Sequence, residues 1–136
     1  KQAKEKGFAG IMQGGDGWDS PDLDTEAVDG GYHSNHYSPA DPRPIVQNFV
    51  ANYAAEYGAP PDALAALAYD AARVLLQAIS EAGVDDPAVV RDALQNIEYD
   101  GVAGSIVFNE VGDPQKTAAI NHVTGGKVEF VKFVAP

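Results

Sequence analysis

The chain has 136 residues, a formal net charge of −11 from 20 acidic and 9 basic side chains, and no cysteine. That length suits one ordinary domain with a core of its own. With no basic cluster it lacks what nucleic-acid phosphates demand. Without cysteine there are no disulfides, thiolate nucleophiles or thiolate metal sites, and no uninterrupted apolar run approaches the ~18 residues of a membrane span.

Lys1-Gln2-Ala3-Lys4-Glu5-Lys6-Gly7 reads as the last turns of a helix already under way, its lysines at the negative end of the dipole and Gly7 as the stop. The chain is therefore expected to be a piece of something longer. Phe8 to Met12 reads as a short buried strand. It breaks into Gln13-Gly14-Gly15-Asp16-Gly17-Trp18-Asp19, a loop with three glycines around one acid. In open α/β sheets ligands bind at the carboxyl ends of strands, and glycines let a backbone come close to them. Asp16 would stand there as a lone carboxylate with Trp18 beside it, a pairing suited to an ammonium group. The competing reading is an Asx turn in a tight loop.

The acids at 16, 19, 22, 24 and 26 lack the spacing and closing glutamate of a calcium loop. They read instead as a solvated loop and the start of a short helix to Val28, with Ser20 as N-cap and Pro21 in its first position. Gly30 to Tyr37 reads as a strand. His33 and His36 would then point to opposite faces and could not clamp one ion, and His122 is remote.

Asp41-Pro42 opens a helix carried by Ile45, Val46, Phe49, Val50, Tyr53, Ala54 and Tyr57 and ended by Gly58, with Arg43 and Asn48 on its wet face. A second helix runs from Asp62 to Gly83 with Leu64, Leu67, Ala68, Ala71, Leu75, Ala78, Ile79 and Ala82 on its apolar face. Asp70, an indifferent helix former in mid-helix, calls for a local partner and reads as structural. Asp86-Pro87 caps a third helix through Ile97. Ser105 to Asn109 and Ala118 to Val123 read as strands, and Thr124-Gly125-Gly126-Lys127 as a hairpin turn into a last strand, Val128 to Val134.

Catalytic signatures are missing. The chain has no G-x-S-x-G elbow, no P-loop and no G-x-G-x-x-G fingerprint, and a glycosidase-type carboxylate pair is not recognisable from sequence. No enzyme, metal or cofactor is expected.

Four motifs occur in order: Gly14-Gly15-Asp16-Gly17-Trp18-Asp19-Ser20-Pro21; Asn35-His36-Tyr37-Ser38; Ala66-Leu67-Ala68-Tyr69-Asp70-Ala71; and Gly101-Val102-Ala103-Gly104 leading into Ile106-Val107-Phe108-Asn109-Glu110-Val111-Gly112-Asp113. Together they resemble the carboxyl-terminal part of the type I periplasmic binding proteins, nearest the Leu/Ile/Val-binding branch that serves branched-chain amino-acid ABC transporters. The resemblance implies an α/β fold of two lobes, each a three-layer α/β sandwich, seen here only in its carboxyl-terminal portion. Residues 1–38 would belong to the second lobe, 39–114 to the first, and 115–136 would return to the second.

It also implies capture of a branched-chain or other aliphatic amino acid between the lobes and delivery to a membrane permease, in the periplasm or outside the cell, with membrane association in some relatives. The alternative is a sensing domain of the same fold that takes amino acids or amides without transport. Asp16 would hold the ligand's ammonium, Gly17 and Trp18 would be loop neighbours of the cleft, and Leu64 would line the side-chain pocket. Larger aromatics stand at the Leu64 position in the best-known members, so the pocket here would be larger or of different preference. The remaining ligand contacts would come from an amino-terminal part of the same protein. Were these residues the whole molecule, two copies could exchange segments into a homodimer.

Overall fold

The structure is a computed structural model that describes residues 1–135. The ends of the chain meet in one sheet and its middle builds a second, smaller one. The first sheet has the order β1-β2-β6-β7, from β1 (Gln13–Gly14), β2 (Tyr32–Asn35), β6 (Ala118–Thr124) and β7 (Lys127–Val134). Only β1 and β2 run parallel, Gln13 beside Tyr32 and Gly14 beside His33. The β6–β7 hairpin turns on Gly125 and Gly126, both with positive φ (56° and 78°), the geometry that two-residue hairpin loops demand. One face of this sheet is buried through His33, Asn35, Ala119, Asn121 and Val123.

Between β2 and β6 lie three helices, α2 (Pro44–Tyr57), α3 (Ala63–Ala82) and α4 (Pro87–Gln95), after a single amino-terminal turn, α1 (Gln2–Glu5). The small sheet follows as β3 (Glu98–Gly101), β4 (Gly104–Phe108) and β5 (Pro114–Gln115), antiparallel throughout. Gly58 and Gly83 end α2 and α3 in the left-handed region, where glycine carries no Cβ penalty. Asp62 and Asp86 cap α3 and α4 by accepting from Ala65 N and Ala88 N, each at 2.8 Å. Tyr37, Val46, Phe49, Ala63, Ala66, Val102 and Ala103 form one apolar cluster, and Val74, Ala78, Ile97 and Ile106 a second. Each large side chain so buried contributes about 1.5–3 kcal/mol.

The β3–β4 turn is held from two sides. Asp70, 1% exposed in the middle of α3, accepts from Val102 N at 2.9 Å and Ala103 N at 2.6 Å. The carboxylate comes this close because Gly101 has no side chain: a Cβ there would lie 2.5 Å from an Asp70 oxygen. Burial raises the Asp70 pKa; the two N–H bonds and the charges of Lys116 and Arg43 act against that rise. On the other side Arg43 Nε donates to Asp41 Oδ2 at 2.8 Å, while Nη1 and Nη2 reach the carbonyls of Gly101 and Val102, each at 3.1 Å.

Several expectations change. The strand expected at Phe8 to Met12 begins only at Gln13, and Phe8 and Ile11 are 51% and 68% exposed. As an edge strand β1 has only β2 beside it, so nothing covers the apolar run before it. The short helix expected before Val28 is a series of turns. There Ser20 Oγ accepts from Asp22 N and Asp24 Oδ1 from Ala27 N, local bonds that compete with a helix. Helix α2 starts two residues late because Pro44, not Pro42, fills its first turn, which frees Asp41 to pair with Arg43. Arg43 is therefore not on a wet face.

The buried face of α3 is Ala63, Ala66, Asp70, Val74 and Ala78, rotated from the expected one, and Leu64, Leu75 and Ile79 are exposed. Small residues win that face because the β3–β4 turn must come within hydrogen-bonding distance of Asp70. Two strands, β3 and β5, were not anticipated. By length and composition α3 is also long and apolar enough to cross a membrane. Its core-facing row and the Asp70 bonds are those of a core helix.

Candidate functional site

Asp16 opens a single 3-10 turn, Asp16–Trp18, directly after β1. Trp18 N donates to Gly15 O at 3.1 Å and Asp19 N to Asp16 O at 2.9 Å, and these bonds present the Asp16 side chain outward. Across from the turn stands the start of α3. The two are tied by Asp19, whose Oδ2 accepts from Ala63 N at 2.8 Å. This bond uses an otherwise orphaned N–H at a helix N-terminus, where a carboxylate is also favoured by the dipole.

Asp16, Gly17, Asp19, His36, Asp62, Ala63 and Leu64 enclose a cleft of about 170 Å³. Its lining carries three carboxylates, a histidine and the Leu64 side chain, which is 74% exposed. Asp19 and Asp62 each have one oxygen engaged by the α3 backbone. Asp16 was expected to stand alone. It does not: its Oδ2 lies 3.2 Å from His36 Nε2, at the end of β2. Behind the cleft Tyr37 is buried edge-on against Phe49, its hydroxyl without a hydrogen-bond partner among the described residues. Burial, then the charges of Asp19 and Asp62, push the Tyr37 hydroxyl well above the usual range, so it stays protonated.

Of the four residues expected at the site, Asp16, Gly17 and Leu64 come together. Trp18 does not line the cleft. Its indole lies over Gly14, where a Cβ would come within 2.2 Å of the ring, and 5.9 Å from the His33 ring. A glycine-lined hollow accommodates a large flat ring, so the indole packs against the sheet and is not beside Asp16. Asp19, His36 and Asp62 were not singled out. Their signal is spatial: strand register brings His36 back to the Asp16 loop across twenty residues of sequence. Asp62 carried only the signature of a helix cap.

The helices leave a wider groove, about 920 Å³, between α2 and α3, lined by Phe49, Tyr53, Tyr57, Tyr69 and Arg73. The apolar face of α2 is thus core at Val46 and Phe49 and open at Tyr57. Among the described residues no group of three His, Asp or Glu side chains could hold a metal ion.

Chemically, the small cleft combines excess negative charge with an apolar side chain. It contains no nucleophile held by a base. Such a set of side chains has the chemistry to suit a cation that carries an aliphatic body.

A family model described as periplasmic binding protein matches residues 1–127. The leucine-binding protein LivK of Thermotoga maritima is 38% identical over 99% of this chain, with a TM-score of 0.88. LivJ of Streptococcus pneumoniae, solved with isoleucine, is 27% identical over 99% of the chain at a TM-score of 0.84. A substrate-binding protein of Desulfitobacterium hafniense, solved with Leu, is 27% identical over 95% at 0.83. The chain spans only 40%, 40% and 38% of those three structures. Neighbours of this kind are solute-binding proteins and not enzymes. The chain belongs to the periplasmic binding protein family and has its type I fold.

Proposed function

We propose that this chain is the carboxyl-terminal part of an extracytoplasmic solute-binding protein that captures an aliphatic amino acid between two lobes and delivers it to an ABC transporter permease. The observation that carries the reading is that the Asp16 carboxylate and the Leu64 side chain line the same small cleft. Asp16 takes the ligand's ammonium and Leu64 meets its side chain. Gly17, without a side chain, leaves the approach to Asp16 open. In this reading Trp18 supports the loop from behind through Gly14. The solved neighbours that hold leucine or isoleucine support the ligand class.

Residues 1–38 and 115–136 form one lobe's share and 39–114 the other's, consistent with the two separate sheets. A ligand that bridges both lobes stabilises the closed form by its differential affinity, and the permease reads that form. Calorimetric titration of leucine, isoleucine and valine into the full-length protein tests this. Asp16→Ala is expected to cost about 2–5 kcal/mol of binding, the loss typical when one partner of a buried charge pair is removed. Wild-type protein that binds none of the three amino acids would sink the reading.

A further inference from the structure

We propose that His36 is a positioning residue for Asp16, and that its protonation weakens the hold of the cleft on an ammonium group. The inference rests on the amino-acid reading above and adds to it a residue and a dependence on pH.

A carboxylate only accepts hydrogen bonds, so the 3.2 Å contact to Asp16 Oδ2 requires hydrogen on His36 Nε2. The ring is held in place through its own backbone. His36 N donates to Asn35 Oδ1 at 2.7 Å, and the His36 carbonyl accepts from Lys116 Nζ at 2.9 Å. Both main-chain groups are tethered just past the end of β2, with the ring turned toward the Asp16 loop. With Oδ2 engaged by the ring, Oδ1 is the oxygen left for a ligand.

Neutral His36 donates one hydrogen bond and leaves the full negative charge of Asp16 in the cleft. Protonated His36 places a cation on that carboxylate, and an arriving ammonium meets a like charge. The other charged groups facing this point are Asp19 and Asp62 in the cleft wall and Lys116 on the main-chain side. By linkage, an ammonium bound beside the ring makes the imidazole harder to protonate. Binding therefore releases a proton, and affinity falls as pH drops and the imidazole takes that proton up. Each pH unit by which the ligand lowers the histidine's protonation corresponds to about tenfold in affinity.

The test is calorimetric titration of leucine into the full-length protein at about pH 7.5 and about pH 5.5, on either side of the ordinary histidine value. Wild type is expected to bind about tenfold more weakly at the lower pH. His36→Gln keeps a neutral side-chain donor and does not titrate, so its affinity is expected to be equal at the two pH values. Near pH ~6.5, titrations in two buffers of different ionisation enthalpy should show proton release for wild type and none for His36→Gln. Affinity that does not change with pH, or the same slope in both proteins, overturns the proposal. So does tighter wild-type binding at low pH, because the imidazolium would then be holding the ligand's carboxylate. Failure of leucine, isoleucine and valine to bind at either pH overturns the amino-acid reading itself, and the role of His36 with it.

Discussion

Asp70 is almost wholly buried, and its carboxylate takes up two backbone N–H groups at the tip of the β3–β4 turn. Asp70→Ala leaves both of them buried without a partner, at ~1–3 kcal/mol each, so a loss of about 2–5 kcal/mol is expected in chemical denaturation. The charge itself acts in the opposite sense. Burial raises the Asp70 pKa in the folded state, so between the ordinary ~3.9 and that raised value the folded chain holds a proton that the unfolded chain has released. Stability contributed in this way is complete below the unfolded pKa and is lost as pH rises through the folded one. Asp70→Asn removes this contribution to the slope, which denaturation curves measured from about pH 4 upward would read. The need for a partner at Asp70 was legible in the sequence because a carboxylate in mid-helix is unusual. Which partner it would find was not, because Val102 and Ala103 lie more than thirty residues away.

At the scale of elements, the amino end of α3 does two jobs. Asp62 caps the helix, and Asp19 ties the Asp16 turn to it through Ala63 N. Asp62→Ala should cost about 1 kcal/mol of stability, the usual worth of such a cap. Asp19→Ala also removes one N-terminal acceptor, but it lets the turn that carries Asp16 move away from Leu64. Its expected signature is a loss of leucine affinity of about tenfold, against a stability change of no more than ~1 kcal/mol. Calorimetry and thermal melting of the two variants, side by side, distinguish a capping role from a positioning one. Equal affinity losses would mean that the cleft feels only the helix start. The helices themselves were readable from caps and glycine stops, but the buried face of α3 was not. Hydrophobic periodicity marks where large apolar side chains recur, whereas here the small side chains face the core so that a turn can approach.

At the scale of the whole molecule, apolar residues remain uncovered, among them Phe8, Ile11, Tyr57 and Leu76. The three solved structures compared above are each about two and a half times as long as this chain. In the full-length protein a bridging ligand should act as a clamp between lobes. Leucine at a thousandfold excess over its Kd is expected to stabilise the folded state by about 4 kcal/mol, seen as a raised Tm that Asp16→Ala abolishes. Produced by itself, the 136-residue chain is expected to associate through its open faces. Sedimentation over a range of concentrations would show this, and a monomer throughout would exclude the segment-exchanged dimer as well.

The helices, the caps of α3 and α4, the β6–β7 hairpin and the loop that presents Asp16 follow from local chemistry: capping carboxylates, glycines at positive φ and apolar periodicity act within a few residues of themselves. Only the tertiary structure decided the partners of Asp16, Asp70 and Arg43, the face of α3 that is buried, and the seat of Trp18 against the sheet. Each of those depends on strand register and on how closely two distant backbones can approach. Such distances are set by the packing of the whole chain, and no short stretch of sequence carries them.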